Sequence, residues 1–208
     1  QKEKDYLKVV LKVWNRINYL IEKAPRYTDF YALFKYDIKQ AMNAMDYDLM
    51  TSHYPAIINI TEAWLYAPHS MQFLFVTSVN LMFLSHFRTE ELWLIREINW
   101  LVQKMARIGN WIYTLEREVR EEDFTSGVMA YAIELNNISL KLLQKIDKKS
   151  IDQKIDKTKI NRYLQKEWGE CYYKLHNLSQ RTTAINIPKL LAGMERLLVL
   201  EDALAQYK

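Results

Sequence analysis

Only four glycines and four prolines punctuate this chain of 208 residues, and that scarcity of breakers constrains the fold more than any other feature. An all-β chain needs a tight turn roughly every 8–12 residues, and such turns draw heavily on Gly and Pro. Long stretches rich in Leu, Met, Glu, Lys, Gln and Ala favour helix instead. No segment alternates cleanly between apolar and polar residues, and no repeat of solenoid period is present. The expectation is an all-α chain, a single-domain antiparallel helical bundle of about eight helices, long enough to bury one sizeable core.

The helices can be placed from periodicity and punctuation. Tyr6, Val9, Val10, Val13, Ile17, Leu20 and Ile21 recur at helical spacing over residues 3–23, and Ala24-Pro25 ends that run, because a residue before proline avoids helical geometry. Further helices are expected over 28–53, stopped by Pro55, over 57–66, broken at Ala67-Pro68, and over 69–87. Thr89-Glu90-Glu91 reads as an N-cap with acids in the first turn of a long helix to about 122. Others should follow Thr125 to about 143, over 160–178, and from Pro188 to about 206. The stretch 145–159, KIDKKSIDQKIDKTK, reads as a charged, solvated loop. The start at Gln1, inside a helical-looking run, reads as a cut through a longer protein whose N-terminal helices lie upstream.

Charge and cysteine content narrow the chemistry. A net charge of +4, from 29 basic and 25 acidic side chains, implies no nucleic-acid partner. A single cysteine, Cys171, excludes an internal disulfide and a multi-cysteine zinc site, so a reducing cytoplasm is the default location. The most apolar window, 71–84, holds Ser78 and Asn80 and is too short to span a bilayer, so no integral membrane segment is expected. The residues three before His53, His69, His86 and His176 are Met50, Tyr66, Phe83 and Tyr173, so the Glu-x-x-His pairs of a di-iron bundle are missing. There is no phosphate-cradling glycine loop and no G-x-S-x-G elbow. Cys171 and His176 lie off one helical face and read as structural.

The informative segment is ARIGNWIYTLEREVREEDFTSGV, residues 106–128. Asn110, Thr114 and Glu118 recur at i, i+4 and i+8, which nearly aligns them on one helix face. That face offers an amide oxygen, a hydroxyl and a carboxylate, the hard oxygen donors that magnesium prefers, with waters and substrate phosphate completing the shell. Arg117 stands beside Glu118 and could reach a phosphate oxygen. Read blandly, the same stripe is a solvated helix face, and Arg117 pairs with Glu121 at i+4.

Asn110, Thr114, Arg117 and Glu118 match, position by position, the second metal motif of class I terpenoid synthases, (N/D)D-x-x-(S/T)-x-x-(K/R)-E, and the segment resembles that family. The acidic turn 118–123, the small polar pair Thr125-Ser126 and the apolar run behind them are similar to bacterial terpene synthases. Trp111 stands where the family has a second acid that is not a metal ligand. The resemblance implies a terpenoid-synthase-like bundle comprising about the C-terminal two-thirds of such an enzyme. It implies a magnesium-dependent carbon–oxygen lyase of isoprenoid biosynthesis that ionises a linear isoprenoid diphosphate and cyclises the carbocation. Asn110, Thr114 and Glu118 would hold Mg²⁺, and Arg117 would contact the leaving group. Of the family's closing Arg-Tyr pair, the chain has Gln206-Tyr207, which carries over Tyr207 alone as a catalytic residue.

The family's aspartate-rich first motif would fall upstream of Gln1, since Asp46-Tyr47-Asp48 is too near the second motif to serve. Its pyrophosphate-sensing arginine would fall about forty to fifty residues before the second motif, where EAWLYAPHS, 62–70, has His69 as its only basic group. Trp64, Phe73, Phe75 and Phe83 are candidates for lining the carbocation pocket, because the family places the preceding helices around its cavity and ring faces attract cations. A homodimer stays open. Two other readings remain beside the synthase: a non-catalytic helical interaction or scaffold domain, and an inactive cyclase-like protein, the latter suggested by Trp111, Gln206 and the missing sensor arginine.

Overall fold

The computed structural model describes residues 2–121, 123, 125–136 and 155–205, and among them every regular element is helical. We number the helices α1 (Lys2–Ile21), α2 (Tyr27–His53), α3 (Ile60–Tyr66), α4 (Phe73–Phe83), α5 (Leu92–Glu121), α6 (Gly127–Asn136), α7 (Lys157–Leu178) and α8 (Ile187–Ala205). Short 3₁₀ turns at Pro55–Ile57, Ala67–Met71 and Thr89–Glu91 join them.

Proline and capping side chains explain the boundaries. Pro55 is the first and Pro68 the second residue of a 3₁₀ turn, where a missing N–H is tolerated. The helix expected over 69–87 is therefore shorter, confined to Phe73–Phe83. Gln72, at φ 62°, takes up the left-handed reversal ahead of it. α3 begins at Ile60 rather than 57. Asn59 caps it by accepting from the Glu62 N–H at 2.8 Å and donating to the Glu62 carboxylate at 2.9 Å. Thr89 makes no side-chain cap, and α5 starts only at Leu92, after the Thr89–Glu91 turn. Asp156 caps α7 through the Lys159 N–H at 2.9 Å, so the end of the expected charged loop is instead the first turn of a helix. The rest of that loop, 145–154, and the continuation of α6 to 143 lie outside the described residues.

α5 is the hub. One part of its length joins Leu94, Ile98, Val102 and Met105 to Cys171 and Leu175 of α7 and Leu191 of α8. Its later turns carry Ile108, Trp111, Leu115 and Val119 into a second cluster with α3, α6 and the start of α7. A third cluster, around Phe30, Phe34, Leu81 and Met82, packs α2 on α4 and anchors the end of α1 through Ile21. No helix among the described residues is long and apolar enough to cross a membrane.

Two polar crossings tie α5 to α2. Near the start of α5, Arg96 closes a bidentate pair on Asp37, at 2.8 and 3.0 Å, and the Ser78 hydroxyl donates to the same carboxylate. Asp37 is 2% exposed, and the planar fork satisfies both of its oxygens. The second crossing lies three turns further along each helix, at Asp48 and Arg107, and it is not closed in the same way.

Candidate functional site

The stripe faces inward. Asn110 and Thr114 are partly buried, and Glu118 is only 5% exposed, so the three do not form an open solvated face. The Thr114 hydroxyl donates to the Asn110 carbonyl at 2.7 Å, a back-bond within the helix. The turn after α5 folds back over the carboxylate. Asp123 builds that turn. Its N–H donates to the Glu118 carbonyl at 2.9 Å, and its side chain accepts from the Thr125 N–H at 3.0 Å and hydroxyl at 2.6 Å. Ser126 is thereby set above Glu118, to whose carboxylate its hydroxyl donates. Burial pushes the Glu118 carboxyl above its ordinary range, with the hydrogen bond from Ser126 and the charge of Arg107 pulling it back.

Arg107, which the motif comparison passes over, completes the constellation. One turn before Asn110, its Nη1 donates to the Asn110 Oδ1 at 3.0 Å, its Nε to the Ala67 carbonyl at 3.1 Å, and its Nη2 to the Ser70 hydroxyl at 2.6 Å. Its guanidinium lies 5.7 Å from the centre of the Trp111 ring. Burial lowers its pKa, while Asp48, Glu118 and Asp123 raise it. The i−3 spacing from Asn110 was the available sequence signal. The contact with Ala67–Ser70 was not legible, because it joins residues about forty positions apart.

The other expected site residues scatter. Arg117 is about half exposed and pairs with Glu121 at 3.8 Å and Glu118 at 4.0 Å. His69 belongs to the turn that Arg107 grips, but its ring lies 5.1 Å from Trp100, in a hollow with Tyr36, Leu74, Arg96 and Glu97, and burial pushes its pKa down. Trp64 packs edge-on against Trp111 at 5.1 Å and donates from its indole to the Tyr131 hydroxyl at 2.7 Å. Phe73 packs with the α5–α7–α8 cluster, Phe75 meets Phe34 at a tilt with ring centres 5.3 Å apart, and Phe83 is 52% exposed at the last turn of α4. The structure thus brings none of His69, Phe73 or Phe83 to the stripe. Tyr207 lies outside the described residues. Cys171 is buried, with its thiol pushed up by burial, which suits a structural thiol.

Trp111 has a clear packing role. It is 1% exposed and sits beneath Gly127, where an added Cβ would come within 2.3 Å of the ring. Trp111 is thus a core side chain that wedges α5 against α6.

Asp48 is the least satisfied member of the group. Its Oδ1 is buried with no hydrogen-bond partner among the described residues. Burial pushes its carboxyl up to about 6, against the opposing pull of Arg107. A folded pKa above the ordinary value means that ionisation disfavours the fold: the penalty is absent below the ordinary carboxylate range and is complete once pH has risen past about 6. Asp48→Asn should therefore raise the thermal midpoint at pH 8 and lose most of that advantage by about pH 4. Calorimetry at the two pH values checks this, and an equal shift at both would locate the effect in packing rather than charge.

Compared with family models, curated proteins and solved structures, the chain matches none. The functional reading therefore stands on the site itself. Among the described residues, no three His, Cys, Asp or Glu side chains converge to hold a metal by themselves. A cation here would draw on mixed donors: the Glu118 carboxylate, the Thr114 hydroxyl and the Asn110 amide. That set fits magnesium, which takes few protein ligands and keeps water and phosphate in its shell. The Asn110 Oδ1 already accepts from Arg107, but a carbonyl oxygen has two lone pairs and can serve both.

Proposed function

We propose that the chain is a magnesium-dependent class I terpene synthase acting on a linear isoprenoid diphosphate. The observation that supports the reading is the inward stripe of Asn110, Thr114 and Glu118 with Ser126 folded over its buried carboxylate. These three oxygens would hold the ion, and bound magnesium supplies Lewis-acid neutralisation of the diphosphate as the carbon–oxygen bond breaks. Ser126 holds the Glu118 carboxylate in place, and Asp123 holds the turn that carries Ser126. The family's pattern would give the leaving-group contact to Arg117, which stands half exposed beside Glu121, and Trp64 is the candidate aromatic that reaches the stripe's helix, through its contact with Trp111. Excluding water from the allylic cation lets ring closure compete with quenching.

An inactive cyclase-like protein is the second reading. It is favoured by the Arg107 guanidinium, a resident cation that already bonds the Asn110 oxygen.

Incubation of the full-length protein with geranyl, farnesyl and geranylgeranyl diphosphates and magnesium decides between them, with hydrocarbons read by mass spectrometry and pyrophosphate by a coupled assay. The synthase reading expects cyclic hydrocarbon from at least one substrate. Neither hydrocarbon nor pyrophosphate from any of the three overturns it.

A further inference from the structure

α1 is packed at one end only. Ile21, in its last turn, is its one buried residue among those described, clustered with Ala24, Phe30, Phe34, Leu81 and Met82. The apolar face that this turn buries continues, exposed, along the rest of the helix. Tyr6, Val10, Val13 and Ile17 form one exposed stripe, and Leu7, Leu11 and Trp14 form a second beside it. At about 100° per residue, the apolar arc from Val9 round to Leu11 is about 200° wide. A contiguous apolar face of this kind marks a place of contact.

Two features choose the occupant. The first is charge. Lys4, Lys8, Lys12 and Arg16 recur at every fourth residue on the remaining arc, against the single acid Asp5 between residues 4 and 16. All four basic side chains are exposed, and helical geometry puts Lys4 and Arg16 at the two edges of the apolar arc. The second is width. A helix that pairs with another copy of itself uses a narrow seam, flanked by charged residues that set partner and register. Here the flanks of the Tyr6–Val10–Val13–Ile17 seam are Leu7, Val9 and Trp14, which are apolar. A lipid surface suits both features. Acyl chains take the broad apolar arc, and anionic headgroups take the cations bordering it. Tyr6 and Trp14 add rings of the kind that settle at the headgroup boundary.

We propose that α1 is an interfacial helix that docks the protein on an anionic lipid surface, lying along the surface rather than crossing it. None of its residues belongs to the stripe at Asn110, Thr114 and Glu118, so the proposal stands apart from the synthase reading.

The test is flotation of the full-length protein with vesicles of phosphatidylcholine alone and of phosphatidylcholine mixed equally with phosphatidylserine. The wild type is compared with Val10→Asp and with the double variant Lys4→Gln, Arg16→Gln. The wild type should float with the mixed vesicles and be released by high salt, which screens the headgroup attraction. Val10→Asp, at the middle of the apolar arc, should weaken partitioning about 10–100-fold, because burial of the valine is forfeited. The double variant should lose about fivefold for each cation on mixed vesicles and nothing on neutral ones. All three positions are exposed and distant from Ile21, so thermal melts should match the wild type. Should Val10→Asp melt early, the double variant carries the test alone. Equal flotation of the wild type and the folded variants overturns the proposal, as does equal flotation of the wild type with both kinds of vesicle. A wild type that stays in solution with both also overturns it. If sedimentation then shows a dimer that Val10→Asp dissociates, the face belongs to a second copy of the chain.

Discussion

Trp111→Asp is expected to abolish cooperative folding at 37 °C. Trp111 is 1% exposed and meets Trp64 edge-on at 5.1 Å and Tyr131 at 6.4 Å. Truncating a buried Trp to Ala typically costs about 3–5 kcal/mol. An aspartate adds the cost of burying a carboxylate among apolar neighbours. A domain of ordinary stability has about 5–15 kcal/mol in total, so the combined loss takes most or all of it. Far-ultraviolet dichroism and a thermal melt read the outcome. A cooperative transition within a few degrees of the wild type would mean that the ring contributes little and that the site tolerates an acid after all.

Gly127 gives an independent handle on the same wedge. A Cβ there would lie 2.3 Å from the Trp111 ring, so Gly127→Ala must displace the indole, and overpacking of this kind costs about 1–3 kcal/mol. In a Trp111→Phe background the smaller ring makes room, and the same alanine should cost much less. The difference between the two backgrounds is a coupling energy. Additive losses would place the glycine's role elsewhere.

Trp111 also illustrates what the chain reveals before it is folded. The four breakers of each kind and the helical periodicity are enough to give all-helical architecture, because they are local properties of the backbone. The stripe is legible too, since residues four apart must share a helix face. Whether that face looks inward is not local. It depends on Ser126 returning over Glu118, which depends in turn on Asp123 collecting the Thr125 donors. Trp111 reads as a defect in a motif until Gly127 is seen above its ring. Arg107 is missed for a related reason. Its guanidinium reaches Ala67 and Ser70 across space, from a helix about forty residues further along the chain. The later start of α3 is a local matter by contrast: Asn59 and Glu62 form a reciprocal capping pair, overlooked because no Ser or Thr marks it.

Glu118→Gln should separate function from stability, moving them in opposite directions. The amide keeps the size of the side chain and an oxygen that can accept from Ser126, while the charge is removed. If Glu118 holds the ion, magnesium affinity and kcat/KM should fall by well over the roughly 10–100-fold cost of disturbing a ligand's outer partners. Stability should rise. Burial lifts the folded pKa of Glu118 above its unfolded value, so the ionised carboxylate opposes folding, and the opposition grows as pH rises through the folded pKa. The glutamine escapes that penalty, and its thermal advantage should therefore be largest in mildly alkaline buffer and shrink toward acid pH. A functional carboxylate held in a destabilising position is the expected sign of a site that trades stability for activity. If the variant instead melts well below the wild type at every pH, with magnesium binding unaltered, Glu118 is a structural acceptor for Ser126, and the stripe holds no ion.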